Sequence, residues 1–189
     1  MKFFHLIHLL FLSLIGNNLM AQETESKNFY GRTLNLAAGV GYYKYVSYPV
    51  KAASVNYEFQ IHKNLTAAPF IAVYAYESTY YWGNAYYPAS IYKYSETVVP
   101  MGIKISYYFD DLVRAGTKWD FYSAGSLGFV YRRTVWEPAY NGKNQIDPGM
   151  GPLYLDLHIG AEYHINKFTG VVLDLSTGVS SVALAIHLP

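Results

Sequence analysis

Asp156, His158, Glu162 and His164 share one stretch, Leu153-Tyr-Leu-Asp-Leu-His-Ile-Gly-Ala-Glu-Tyr-His-Ile165, and all fall at its even positions. Carboxylates and imidazoles side by side are what general acid–base catalysis and metal ligation require. His158 and Glu162 with a nearby serine would sketch a hydrolase, and His158, Glu162 and His164 a metal site. The spacing argues against both on a single element. Leu153, Leu155, Leu157, Ile159, Ala161, Tyr163 and Ile165 fill the odd positions, the two-residue period of a β-strand. Residues four or six apart on a strand share a face but lie roughly 13–20 Å apart, so they cannot meet one ion as helical i, i+4 residues do. A metal would need ligands from neighbouring strands, and none is marked in the sequence. Ser180, Ser181 and His187 have the composition of a nucleophile and base, without a local motif. The expectation is therefore no catalytic, cofactor-binding or metal-ligating residues, and no cofactor.

The element that carries these groups is long for a globular strand and suits a tilted strand crossing a bilayer, which takes about 9–11 residues. The same alternation recurs along the chain. Thr33 to Tyr43 sets Leu34, Leu36, Ala38, Val40 and Tyr42 against Asn35 and the small Ala37, Gly39 and Gly41. Ala52 to Ile61 sets Ala53, Val55, Tyr57, Phe59 and Ile61 against Ser54, Asn56, Glu58 and Gln60. Leu65 to Glu77 is apolar on both faces; Ile71, Val73 and Ala75 are read as outward, and Pro69 as the site of a kink or bulge. Glu96 to Phe109 places Val99, Met101, Ile103, Ile105 and Tyr107 outward and Gly102, Lys104 and Ser106 inward. Trp119 to Arg132 places Phe121, Leu127, Phe129 and Tyr131 outward and Tyr122, Ser126 and Gly128 inward. Thr169 to Ser176 turns Val171, Leu173 and Leu175 out and Asp174 in; Val179 to Leu188 turns Val182, Leu184, Ile186 and Leu188 out and Ser181, Ala183 and His187 in.

Eight such segments predict an all-β fold, an antiparallel up-and-down transmembrane β-barrel of residues 33–189 with lipid outside and a polar interior. Lys44 to Lys51, Thr79 to Tyr94 and Arg133 to Gly151 read as long loops, and His62 to Asn64, Asp110 to Lys118 and Asn166 to Phe168 as turns, mostly shorter. Ahead of the barrel, residues 22–32 read as a polar lead-in. Residues 1–21 read as a cleaved secretory signal: Lys2, an apolar run from Phe3 to Ile15, then Leu19-Met-Ala21. Without Lys2 the 14 basic residues become 13, against 13 acidic ones. That balance, with no basic cluster, excludes nucleic acid as a partner. The chain has no cysteine, so neither disulfides nor thiol chemistry enters. Its 21 Tyr, 10 Phe and 3 Trp suit aromatic girdles at two membrane interfaces.

The architecture, with LYLDLHIGAEYHINKFTGVVLDLSTG and SSVALAIHL standing for the last strands, resembles the small OmpA/OmpX-like outer-membrane barrels over roughly residues 30–189. That resemblance implies a bacterial outer-membrane location, with membrane lipid and the barrel-insertion machinery as partners; an extracellular ligand or partner protein is left open. Such barrels usually finish on an aromatic residue, where this chain has His187-Leu188-Pro189.

Asn56, Glu58, Gln60, Lys104, Asp156, His158, Glu162, Asp174 and His187 are read as a structural polar network filling the interior, with Lys104 paired to one of the carboxylates. Eight strands are too few for an aqueous channel. Tyr80, Tyr81, Trp82, Tyr86, Tyr87, Tyr92 and Tyr94 are read either as a contact surface on the Thr79 to Tyr94 loop or as an extension of the outer girdle. The functional reading is a non-enzymatic barrel serving envelope structure or surface interaction. A lipid-modifying outer-membrane enzyme and a soluble secreted ligand-binding barrel are the alternatives.

Overall fold

A computed structural model describes residues 31–41, 49–83, 86, 88–113, 118–140 and 152–189. The signal segment and nearly all of the polar lead-in lie outside the described residues. Eight antiparallel strands follow one another: β1 (Arg32–Gly41), β2 (Val50–His62), β3 (Leu65–Trp82), β4 (Ser90–Tyr108), β5 (Trp119–Trp136), β6 (Leu153–His164), β7 (Thr169–Ser176) and β8 (Val179–Leu188). Each pairs with the next, and β8 pairs with β1, closing the barrel.

The register fixes the barrel's shape. From Asn35, the partner row through Asn56, Phe70, Gly102 and Gly128 reaches Tyr154 on β6. The row running the other way, through Ala185 and Gly170, reaches His164 on the same strand, ten residues further along. For eight strands that stagger corresponds to a tilt of about 40° and an interior that side chains can fill.

The two faces follow from the alternation. Leu155 and Leu157 are 69% and 68% exposed, as Ile71, Ile103, Leu127, Leu173 and Leu184 are also exposed, whereas Glu58, Glu96, Asp156, Glu162 and Asp174 are buried. β3 takes the expected parity, with Ile71 and Val73 outside and Ala72, Tyr74 and Tyr76 inside.

Pro69 does not bulge its strand. It stays in register opposite Ile103, and the register shift between β2 and β3 falls at Gln60/His62 instead. Proline lacks only its amide donor, and the β2–β3 pairing is interrupted opposite it, between Asn56↔Phe70 and Phe59↔Ala67. Pro100, buried in β4, leaves a similar gap on its β3 side, between Ile71↔Met101 and Tyr74↔Val98.

The loops are shorter than the sequence suggests. The expected Thr79 to Tyr94 loop is mostly sheet: β3 runs on to Trp82, β4 starts at Ser90, and Tyr80↔Tyr92 and Trp82↔Ser90 still pair. Gly83 and Pro88 mark the real turn, because an aromatic-rich hairpin pairs well until the breakers themselves. Val50 and Lys51 likewise belong to β2, and Arg133 to Trp136 to β5. Asp110–Val113 forms one helical turn, α1, where a plain polar turn is expected; the Asp110 carboxylate accepts the Phe121 amide hydrogen and ties α1 to β5. The connection 109–118 is therefore not shorter than 83–89, so the alternation of loop lengths is weaker than the sequence suggests.

Candidate functional site

The inward positions of all eight strands converge on a side-chain-filled interior, and its acids fall into separate groups. At the centre is Asp174 of β7. It accepts hydrogen bonds from Lys104 Nζ at 2.5 Å and Tyr122 OH at 2.6 Å, and its Oδ1 lies 2.7 Å from His158 Nδ1. The Lys104 and Asp174 side chains are 13% and 10% exposed, so this is a nearly buried ion pair. Lys104 also lies 4.5 Å from the centroid of the Tyr122 ring. Tyr122 can reach this point because its partner on β6 is Gly160, where a Cβ would come within 2.2 Å of the ring. Asp174 is thus the carboxylate partner expected for Lys104.

Glu58 is met by neutral donors. Tyr108 OH donates at 2.8 Å, the Thr66 hydroxyl donates closely, and Asn35 Nδ2 lies 3.5 Å away while also donating to Asn56 at 3.0 Å. Asp156 anchors the β7–β8 turn, accepting from Thr177 Oγ1 at 2.6 Å, Gly178 N at 2.8 Å, and Ser176 Oγ and Tyr154 OH at 2.9 Å. Asp156→Ala should therefore cost about 1.5–3 kcal/mol, the range for hydrogen bonds to a charged group. Deuterium exchange at the Gly178 amide should accelerate in that variant while the β4–β5 amides stay protected.

Gln60 lies at the rim of the interior, half-buried, with its side-chain oxygen buried. Its side-chain amide donates to the His62 and Lys63 carbonyls at 3.3 and 3.0 Å, capping the β2–β3 turn beside the register shift. Near the start of β1 and the end of β8, Glu162, His164 and His187 gather with Asp120 and Thr33.

Some members of the network were not identified from sequence. Buried Glu96 accepts from Tyr76 OH at 2.7 Å and lies 3.8 Å from Arg132 Nε. Parity puts all three inside, but Glu96 and Arg132 sit at the expected strand ends, where facing is ambiguous. Thr66 and Tyr108 are missed because hydroxyls carry no charge to flag them.

The aromatic residues divide by face. Tyr92 is buried, and Tyr80, Trp82, Tyr92 and Tyr94 join Trp136 and Tyr140 on the inner side of the extended β3–β5 sheet. Tyr94 and Trp136 are 4.8 Å apart between centroids, and Trp136 and Tyr140 4.2 Å. These four expected residues therefore pack, mostly edge-on, against one another or against Trp136 and Tyr140 on the inner side of the sheet. Tyr81 and Tyr86 are 69% and 90% exposed, and Tyr87 lies outside the described residues.

One arrangement invites a catalytic reading. Ser126 Oγ lies 2.9 Å from His158 Nε2, and His158 Nδ1 contacts Asp174, the hydrogen-bond order of a serine hydrolase triad. It does not involve Ser180, Ser181 or His187. Ser126 sits mid-strand between Lys104 and Asp156, so the neighbouring backbone amides serve the sheet and cannot form an oxyanion hole. On the inside it borders a cavity of about 70 Å³, room for a few waters, and an apolar groove of about 1000 Å³ lined by Leu127, Phe129, Leu155 and Leu157 also reaches it.

No family model matches the chain, and no curated protein matches it. Among solved structures it is similar to Neisserial surface protein A at 13% identity, over 83% of this chain and 96% of that one, with a TM-score of 0.46. It is also similar to Ail of Yersinia pestis, determined with the heparin analogue sucrose octasulfate, at 7% identity over 82% and 93% with a TM-score of 0.43. A de novo designed transmembrane β-barrel matches at 12% identity over 88% and 98% with a TM-score of 0.44. Likenesses this distant decide nothing about activity.

Proposed function

We propose that this chain crosses a bacterial outer membrane and serves envelope structure or surface interaction without catalysing a reaction. The observation that supports this most directly is the inversion of its faces: a belt of exposed Leu, Ile and Val surrounds buried Glu58, Asp156, Glu162 and Asp174. Soluble monomers rarely expose contiguous apolar patches beyond a few hundred Å². A soluble carrier would carry the opposite arrangement, apolar inside and polar outside. Trp119, Phe121 and Tyr163, the last two with ring centroids 5.9 and 4.9 Å from that of Trp119, form the arc of a girdle at the end where β1 starts and β8 finishes. The opposite end, where β3–β5 overhang, faces outward from the cell in this reading, and Tyr81 and Tyr86 are its candidate contact rings.

Cell fractionation with heat-modifiable gel migration tests the assignment. Recovery in the outer-membrane fraction, with a band that shifts on boiling, is the expected result; recovery as a soluble periplasmic or secreted protein would overturn it. The Ser126–His158–Asp174 chain favours a second reading, a lipid-directed acyl hydrolase. Fluorophosphonate labelling separates the two. We expect no label on the folded barrel, whereas labelling lost in Ser126→Ala would establish the hydrolase.

A further inference from the structure

The cluster at the β1–β8 end is composed differently from the rest of the interior. Its Glu162, His164 and His187 each offer one ligand atom, and these atoms all lie within 4.8 Å of one another. Strand geometry explains how residues from β6 and β8 meet across β7. The intervening inward position is Gly170, and a Cβ there would lie 2.1 Å from Glu162 Oε1. The missing side chain leaves the space through which the carboxylate reaches His187.

The outer nitrogens of both imidazoles already have partners. His164 Nε2 lies 2.7 Å from Asp120 Oδ2, and His187 Nδ1 lies 3.0 Å from Thr33 Oγ1. An N–H donated outward in each case leaves the inner nitrogen, Nδ1 of His164 and Nε2 of His187, with a lone pair aimed at Glu162. His187 Nε2 is 2.8 Å and His164 Nδ1 3.7 Å from Glu162 Oε1. Glu162 is 6% exposed, yet neither its Oε1 nor His187 Nε2 completes a hydrogen bond of normal geometry. Lone pairs that face one another at this range need a proton or a metal ion between them.

We propose that Glu162, His164 and His187 bind a borderline divalent metal ion, of which Zn²⁺ is the type, at the mouth of the barrel. Imidazole nitrogen with one carboxylate suits Zn²⁺ and its neighbours, whereas Ca²⁺ and Mg²⁺ prefer all-oxygen shells. Tetrahedral zinc at about 2.0–2.2 Å from each donor needs donor separations of about 3.4 Å; here they run from 2.8 Å to at most 4.8 Å, so the nearest pair opens by about 0.6 Å and the widest closes by about 1.4 Å. Asp120 and Thr33 would fix ring orientation from outside, as carboxylates and hydroxyls behind metal-bound imidazoles do. Three protein donors leave a fourth position for water or a small anion. The sequence marks no ligand on a strand neighbouring Glu162 and His164; His187 arrives from β8, and the gap at Gly170 that admits it is not visible in a strand pattern. The site depends on the barrel alone, so it stands or falls separately from the membrane location and the role proposed above.

The test uses untagged barrel, refolded in detergent, stripped with chelator and confirmed as folded by heat-modifiable migration. Calorimetric titration with Zn²⁺ should show one ion per chain, and Co²⁺ should give visible absorption of tetrahedral intensity. His164→Gln and His187→Gln should each weaken Zn²⁺ binding at least tenfold and abolish the Co²⁺ bands. Asp120→Asn, which touches no ion, should weaken binding about tenfold, the low end for a supporting carboxylate. His62→Gln, at an exposed turn histidine, should leave binding unchanged. If either histidine variant fails to fold, Gly170→Ala substitutes for it, since its methyl group displaces the Glu162 carboxylate. No stoichiometric uptake by the folded wild type overturns the proposal in favour of a protonated imidazole–carboxylate cluster. Uptake that survives in the variants overturns it in favour of adventitious surface histidines.

Discussion

Lys104→Met should lower the unfolding free energy of the barrel in detergent by about 3 kcal/mol. Breaking a buried ion pair from one side costs about 3–5 kcal/mol when the remaining charge is stranded. Asp174 keeps donors at Tyr122 and His158, which places the loss at the low end. Asp174→Asn in the Lys104→Met background should recover part of that loss, because it removes the stranded charge while keeping the shape of the side chain. Urea titration followed by tryptophan fluorescence reads both effects in a double-mutant cycle. Additive losses, with no coupling between positions 104 and 174, would mean that the pair is solvated and contributes nothing to closure.

Leu157→Arg should destabilise the inserted barrel by about 2–4 kcal/mol, the cost of a cation on the lipid face at mid-depth. Leu157 points outward midway along β6, between Leu155 and Ile159. Val135→Arg is the matched control. It also points outward, but β5 carries it from Trp119 to about 40 Å up the tilted strand, beyond hydrocarbon about 30 Å thick. That variant should cost less than about 1 kcal/mol. Equal tolerance of both in vesicles would show that the apolar belt does not meet lipid.

Much of this architecture is legible in the sequence because the two-residue period is strict where one face meets a uniform environment. β6, β7 and β8 occur almost where the alternation places them, and Lys104 and Asp174 lie inside as parity requires. Legibility fails at the strand ends. Above the apolar belt both faces of β3, β4 and β5 carry Tyr, Trp, Thr and Ser, so the alternation disappears while the pairing continues. Partner choice is also hidden. Parity narrows the candidates for Lys104 to Glu58, Asp156, Glu162 and Asp174, but the stagger of the strands decides which of them reaches it, and the stagger is a property of the whole closed sheet. Gln60 has inward parity and is nevertheless drawn into a turn, since the register shift beside it offers two carbonyls.

The same stagger governs the order in which the molecule can be assembled. Asp174 sits on β7, and its donors Lys104 and Tyr122 precede it by 70 and 52 residues; Thr33 and His187 meet across 154. Hairpins between adjacent strands form locally, but none of them alone brings these groups together. If the barrel lies in a membrane as proposed above, a half-rolled sheet would leave Glu58, Asp156, Glu162 and Asp174 facing hydrocarbon, where an unmatched charge is intolerable. The polar interior would then act as a checkpoint on closure. It would penalise open intermediates and favour the sheet whose first and last strands have met, so that the final seam is expected to close cooperatively.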